Sequence, residues 1–442
     1  MEEKRKRNSW KEFSVKHQPE WSNTIELKNV LRSLEDLPAL VFSGETRKLK
    51  EELAEVNTGK RFILQVGNCA ESFSDCNGPK IHNFMRIISE MAIIIELHTN
   101  KKVIKIGRIA GQYAKPRSSS FELVNGIELP VYRGDIINDF EPTLEARIAK
   151  PKRLLDAYFR SAATLNLIRS FTQGGYSDVK NLMDWKEHFF SKEVSNLNEY
   201  KKFEDELSKK TDRISVAATN SSRNDIIYTS HESLLLDYEE AFARIDTTTG
   251  DWYSTSAHSL WIGDRTRSIE SGHVEFASSI GNPIGIKVGP KYDIDELKQV
   301  INKINRSNED GKIMLICRFG LKNIDDCLPQ LIDRIKQDGL KVIWCCDPMH
   351  GNTFAHGDLK VRSFDEILKE TTSFFKLCKS KNVVPGGIHL EITGEHVTEC
   401  IGGINEVTLE NLKEKYFSKV DPRLNATQAI EASFLISNII NN

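Results

Sequence analysis

Eight short apolar runs punctuate the chain from residue 61 onward. They are RFILQVG (61–67), KVIKIG (102–107), IIYTS (226–230), HSLWIG (258–263), IGIKVG (284–289), IMLIC (313–317), KVIWCC (341–346) and GGIHLEI (386–392). Each is nearly continuous in apolar and β-branched residues, the pattern of a strand covered on both faces. Between the later runs lie segments with apolar residues at helical spacing, such as YDIDELKQVINKI and NIDDCLPQLIDRIKQDG. Strand–helix alternation without hairpin signals predicts a parallel sheet. Eight such units match an α/β fold of the (β/α)8 TIM-barrel type, with an open doubly wound sheet as the alternative.

The flanking pattern suggests the domain organisation. Residues 1–60 read as an N-terminal extension, with Trp10 and Trp21 as apolar anchors and a helix ETRKLKEELAEV carrying Leu49 and Leu53. It holds too few apolar residues for a core of its own and is expected to pack on the main domain or on a second subunit. The barrel domain is expected over 61–442. The stretch from roughly 110 to 225 is too long for one strand-to-helix connection. It contains a polar turn region SSSFELVNGIELP, a helix RLLDAYFRSAATLNLIRSF and a charged helical stretch SNLNEYKKFEDELSKKTDRI. It reads as an insertion after the second strand, with its helical segment at about 150–225.

Composition narrows the function classes. The chain has 442 residues, 39% hydrophobic and 28% charged, with a net charge of −2, so nothing in the charge balance favours nucleic acid or membrane surfaces. No apolar run approaches the roughly 18–20 residues needed to span a bilayer, and no apolar segment follows the basic residues of MEEKRKRNSWKEF. The eight cysteines have no framework spacing and read as reduced thiols. A soluble cytoplasmic protein is expected.

The chemistry lies at the C-terminal ends of the runs. In order these present Cys69, Arg108, His231 with Glu232, Asp264 with Arg265, Lys287, Arg318, Asp347 with His350, and Glu391. Strand ends of a barrel form one mouth, where active sites sit. Taken singly each arginine reads as a rim salt bridge. Four cations in one mouth (Arg108, Arg265, Lys287, Arg318), with Lys115-Pro116-Arg117-Ser118 close behind the second strand, instead call for an anionic ligand such as a carboxylate or phosphate. Cys69, His350, Glu391 and a further acid, best Asp421 in the turn DPRLN, form a second set. One thiolate, one imidazole and two carboxylates suit a divalent transition ion better than Ca or Mg. Asp347 and His350, on either side of Pro348, also read as an acid–imidazole pair.

With these residues in place, the chain resembles the class II (plant-type) 3-deoxy-D-arabino-heptulosonate 7-phosphate (DAHP) synthases, which open the shikimate pathway. The motifs that carry the likeness include QVGNCAESF, RIAGQYAKPRS, LPVYRGDIIN, YTSHESLLLDYE, SAHSLWIGDRTR, NPIGIKVGP, DPMHGNT, PGGIHLEITGEHVTEC and DPRLN, running from residue 37 to 428. The resemblance implies a (β/α)8 barrel with N-terminal additions and helices inserted after the second strand. It implies metal ligands Cys69, His350, Glu391 and Asp421, holding Mn or Co, with Zn or Fe as the other candidates. Phosphoenolpyruvate would meet Arg108, Asp264, Arg265, Lys287 and Arg318. Erythrose 4-phosphate would have its phosphate on Arg117 and Ser118, with Lys115 near the reacting centre, and Lys115 or His350 would handle protons. A homo-oligomer, dimer or tetramer, is expected. Three positions depart from the family pattern: Asn68 stands where GDCAESF has an acid, Asp264 stands where the family more often has Glu, and Val420 stands where many members carry Cys, so no redox pairing with Cys69 is expected there. A specialised-metabolism paralogue, of phenazine or aminoshikimate type, is the alternative, and a degenerate regulatory subunit a more distant one.

Overall fold

In the computed structural model, the described residues are 7–174, 226–404 and 406–441. All eight apolar runs become strands. They are β1 (Arg61–Gly67), β2 (Lys102–Arg108), β3 (Ile227–Glu232), β4 (Ser259–Ile262), β5 (Ile284–Val288), β6 (Ile313–Cys317), β7 (Ile343–Cys346) and β8 (Pro385–Glu391). Each pairs in parallel with its neighbours in sequence, and β8 pairs with β1, so the sheet closes. A closed, all-parallel barrel with helices between its strands is the (β/α)8 architecture. The charged stretch at 195–214 lies outside the described residues.

Alternation along each strand sorts the side chains into two cores. Phe62, Leu64 and Val66 of β1 face outward into the shell that packs against the helices. That shell includes α3 (Gly78–Thr99), α7 (Ile294–Ile304), α8 (Ile324–Gln337), α9 (Phe364–Ser380) and α10 (Ala426–Asn441). Ile63 of β1 faces inward with Ile104, Ile106, Tyr228, Met314, Ile316, Ile343 and Cys345. The lower end of this interior is filled from outside the barrel by α2 (Ser43–Ala54), whose Leu49 and Leu53 are fully buried against it. Burial of each leucine contributes about 1.5–3 kcal/mol.

The remaining N-terminal elements also pack on the barrel. Helix α1 (Thr24–Asp36) lies on α4 (Lys152–Gln173) and α5 (Leu236–Ala241). Trp10 is buried beside α6 (Gly272–Ser279), its indole donating to Glu240 Oε2 at 2.8 Å. Hairpins do occur, contrary to the sequence expectation. The turn region after β2 forms one, Phe121–Val124 against Ile127–Pro130. Its central residues Asn125 (φ 51) and Gly126 (φ 79) are both left-handed, as a tight two-residue turn requires. Another, Thr353–His356 against Leu359–Ser363, follows β7. Among the described residues no helix is long and apolar enough to cross a membrane.

Candidate active site

The barrel interior changes from apolar at the bottom to polar at mid-height and charged at the mouth. At mid-height Gln65 Nε2 donates to Ser230 Oγ at 3.0 Å, and its Oε1 lies 2.8 Å from His389 Nδ1. Arg108 Nη1 lies 2.8 Å from His389 Nε2. An arginine only donates, so Nε2 accepts and Nδ1 carries the proton toward Gln65. Burial, with Lys287 and Arg108 nearby, holds His389 well below the usual histidine value, so the ring is neutral.

Above this layer Cys69, His350, Glu391 and Asp421 each bring a donor atom to within 4.8 Å of the others. The four come from distant parts of the chain, as the sequence grouping expects: Cys69 follows β1, His350 follows β7, Glu391 ends β8, and Asp421 lies in the turn before α10. Three of the four have their remaining polar atom engaged elsewhere. His350 Nδ1 is 2.8 Å from Asp347 Oδ2, Glu391 Oε2 accepts from Arg362 at 2.5 Å, and Asp421 Oδ1 accepts from Lys360 at 2.7 Å. The atoms facing one another are His350 Nε2 and Glu391 Oε1 at 3.0 Å, the latter also accepting from Arg108 at 3.0 Å, and Cys69 Sγ, whose S–H donates to Asp421 Oδ2 at 3.4 Å; with the thiol deprotonated all four are acceptors. Converging acceptors, oriented by outer partners, are the arrangement a cation requires. The donor set therefore fits a divalent transition ion. Burial, Glu391 and Asp421 push the Cys69 thiol up to about 12, a value that a bound cation reverses.

Lys115 reaches into the same cluster, its Nζ 2.7 Å from Cys69 Sγ and bonded to Asp421 Oδ2. Burial works to lower its pKa, but Cys69, Asp421 and Glu391 outweigh it and hold the ammonium above the ordinary lysine range. Burial likewise works against ionisation of Glu391, where His350, Arg362 and Arg108 outweigh it and keep the carboxylate charged.

The cations surround one cavity of about 510 Å³. Its lining includes Arg108, Lys115, Arg117, Ser118, Asp264, Arg265, Lys287 and Arg318 together with Cys69, His350 and Asp421, and Glu391 lies beneath. Trp261 forms part of the wall between two cations, with the Arg108 guanidinium 5.2 Å and Lys287 Nζ 5.7 Å from its ring centre. Lys287 Nζ donates to Asp347 Oδ2 at 3.1 Å, so Asp347 links a cation to the imidazole of His350. Asp264 is engaged by protein groups: it accepts from Arg267 Nε at 3.1 Å and Gly289 N at 3.0 Å and lies 3.9 Å from Arg318.

On the opposite rim Arg117 pairs with Glu122 at 2.9 Å, and Arg265 donates to Pro116 O at 3.1 Å. The loop leading to Lys115 hangs from Glu71, whose carboxylate accepts the N–H groups of Ala110, Gly111 and Gln112 at 3.0, 2.9 and 2.7 Å. Ala110 has φ 62, a costly conformation for a residue with a side chain, and these bonds hold it. The N-terminal segment reaches the rim as well, with His17 Nδ1 3.0 Å from Arg117 O. Sequence reading misses Lys360 and Arg362 at the ligands, because both sit on the hairpin after β7 rather than at a strand end. Their signal is the basic pair in LKVRS following DPMHGNT.

The comparisons with known proteins give the family. The Class-II DAHP synthetase family matches residues 5–437. The chain belongs to that family. It is 41% identical over 433 residues to a phospho-2-dehydro-3-deoxyheptonate aldolase of Streptomyces coelicolor, covering 97% of this chain and 96% of the relative. A Neurospora crassa protein of the same name is 38% identical over 457 positions, covering 97% of this chain and 93% of that one. A crystal structure of a DAHP synthase from Thermotoga maritima aligns with a TM-score of 0.33 at 13% identity, covering 80% of this chain and 67% of that chain, a likeness too slight to add to the assignment.

The family departure at Asn68 has a structural reading. Asn68 Oδ1 accepts from Arg423 Nη1 at 2.9 Å, while Arg423 is already neutralised by Glu399 through bonds of 2.9 and 2.7 Å. An amide therefore makes the contact an acid would make, without a missing charge. Asn68→Asp is expected to change kcat/KM by less than about fivefold, the equivalent of ~1 kcal/mol. Steady-state kinetics check this, and a larger change would mean that the acid acts on Cys69 directly.

Proposed function

We propose that this chain condenses phosphoenolpyruvate with erythrose 4-phosphate to give DAHP and phosphate, with the mouth of the barrel as the reaction site. The observation that carries the reading is the meeting, in one cavity, of a four-donor metal cluster with cations drawn from four different strands. In this reading Arg108, Arg265, Lys287 and Arg318 take the carboxylate and phosphate of phosphoenolpyruvate, the kind of anion that several mutually repelling cations are built to receive. Arg117 and Ser118 take the phosphate of erythrose 4-phosphate, which sets its aldehyde toward the cluster.

Cys69, His350, Glu391 and Asp421 would hold the ion, a divalent transition ion by donor type and Mn or Co by the family resemblance, with Zn or Fe as the other candidates; when bound it supplies Lewis-acid polarisation of the aldehyde. The methylene carbon of phosphoenolpyruvate attacks that carbonyl carbon, water adds to C2, and phosphate leaves by C–O cleavage. Lys115 keeps its proton on Nζ beside the reacting centre and stabilises oxyanion charge there. Asp347 holds His350 in the tautomer that presents Nε2 to the ion. The cytoplasmic location, the homo-oligomeric state and the 1–60 and 61–442 division belong to the same proposal. The eight unpaired thiols are in keeping with a reducing compartment.

The test is a phosphoenolpyruvate-consumption assay on metal-stripped protein, titrated with Mn, Co and Zn. Turnover is expected to vanish on chelation and to return with Mn or Co. Full activity after EDTA treatment would overturn the metal assignment.

A further inference from the structure

His350 and Arg318 stand on different loops, one after β7 and one after β6, and must keep a fixed separation if an ion and an anion are to be held side by side. The two loops cross with little between them. A Cβ at Gly351 would run into the backbone of Gly320, and Gly320 itself has φ +81. Such a crossing leaves no room for side chains to interlock, so another element must hold it.

That element is Glu370 on α9, fully buried and reached by no ion pair among the described residues. Its Oε1 accepts from Gly320 N at 2.9 Å and its Oε2 from Asn352 Nδ2 at 2.5 Å. Asn352 completes the joint, accepting from Leu321 N at 2.9 Å and donating to Pro348 O at 2.8 Å. The β6 loop is thus held at Gly320 and Leu321, and the β7 loop at Pro348 and Asn352. Arg318 Nη2 then donates to the His350 carbonyl at 3.3 Å, a contact that depends on the same spacing. A carboxylate buried without a cation is costly unless its bonds return the energy, and here burial pushes Glu370 up to about 8.

We propose that the buried Glu370–Asn352 pair is a positioning device that fixes the metal-ligand loop against the anion-binding loop, and thereby joins metal affinity to phosphoenolpyruvate affinity. Neither residue lines the cavity or touches a proposed ligand. The erythrose 4-phosphate rim depends on a separate anchor, Glu71, on the opposite side of the mouth. The inference rests on the proposed assignment of the two halves of the site.

The pair can be reversed in polarity, which gives its test. In Glu370→Gln an amide NH2 faces the Asn352 NH2. In Asn352→Asp two carboxyl groups face each other, tolerable only by sharing a proton, and the bond to Pro348 O is replaced by an acceptor against an acceptor. In the double variant, Glu370→Gln with Asn352→Asp, the new amide still accepts from Gly320 N and donates to the new carboxylate. That carboxylate still accepts from Leu321 N, while the Pro348 bond is lost and the carbonyl now faces a carboxylate oxygen, the one contact the double variant does not restore. Full-length wild type and the three variants are compared by Mn binding followed by electron paramagnetic resonance, by calorimetric titration of metal-free protein with phosphoenolpyruvate, and by KM for each substrate at saturating Mn. Each single variant is expected to weaken both Mn and phosphoenolpyruvate binding roughly tenfold, the lower end for an outer partner of a metal site. KM for erythrose 4-phosphate should stay within about twofold, and the double variant should recover to within about threefold.

Single variants that bind both ligands as wild type does would overturn the proposal, as would both KM values rising together without recovery in the double variant. Should the single variants fail to fold, a folded double variant with wild-type binding supports it and a folded double variant that binds neither ligand overturns it. Wild type that binds neither Mn nor phosphoenolpyruvate would remove the assignment of the site itself, a result distinct from any behaviour of the variants.

Discussion

Cys69→Ser is expected to weaken metal binding and to reduce turnover by more than about 100-fold, beyond the range typical of outer-shell partners. The thiolate is the soft donor of the set, and a hydroxyl is a poor ligand for a transition ion at neutral pH. The variant is cleaner than a change at the acids. Glu391 accepts from Arg108 at 3.0 Å and Arg362 at 2.5 Å, so Glu391→Gln leaves two buried guanidiniums partly unpaired and costs ~3–5 kcal/mol of stability on its own account. Among the described residues Cys69 has Lys115 and Asp421 as hydrogen-bonding side-chain partners, and these retain each other. Equilibrium dialysis against Mn, with thermal unfolding of the metal-free protein as a control, checks it. Wild-type affinity in Cys69→Ser would remove the sulfur from the ligand set.

The barrel is legible because parallel strands buried on both faces leave continuous apolar runs, and these survive in the sequence whatever the loops do. All eight runs fall on barrel strands, with end shifts of a residue or two, such as Lys341 and Val342 lying before β7. The site is legible in outline for a related reason: strand ends share one mouth, so residues such as Cys69 and Glu391 can be grouped without any contact being known. Residues that owe their place to tertiary packing are not visible. Leu49 and Leu53 read as the apolar face by which the extension packs on the main domain or on a second subunit, and nothing local marks that face as the floor of the barrel. Glu370 reads as a helix charge in DEILKE, yet it is fully buried. The hairpin Phe121–Val124 with Ile127–Pro130 escapes the reading although Asn125-Gly126 is a strong tight-turn signal, because the surrounding serines suggest irregular loop.

The same contrast explains why the candidate acid–imidazole pair changes its meaning. Asp347 and His350 do bond, but Asp347 also receives Lys287, and His350 turns its other nitrogen to Glu391. A general base needs a free lone pair toward substrate, and this imidazole offers its lone pair to the acceptor cluster. The carboxylate between Lys287 and His350 therefore fixes both side chains at once, which in the proposed function are one group for the anion and one for the ion.

Lys287→Met tests the anion side and is expected to raise the phosphoenolpyruvate KM by roughly 30-fold or more, matching the ~2–5 kcal/mol lost when one member of a buried charge pair is truncated. The ammonium is buried against Trp261 and Asp347, so water does not replace it. Its ionisation gives a second readout. Burial lowers the Lys287 pKa, Arg108 and Arg318 add to that, and Asp347 and Glu391 oppose it, leaving the group below the ordinary lysine value. A lysine is charged below its pKa, so the cation is lost as pH rises through that lowered value. Phosphoenolpyruvate affinity should accordingly fall on the alkaline side, earlier than an ordinary lysine would allow. Lys115 does not produce that limb, because its neighbours hold it above the ordinary range. Lys287→Arg keeps its charge throughout and should shift the limb upward, while Lys287→Met should bind weakly with no such limb. Calorimetric titration between about pH 7 and 10 separates the three. A Lys287→Met protein that binds phosphoenolpyruvate within about threefold of wild type would show that the buried ammonium serves Asp347 and not the ligand.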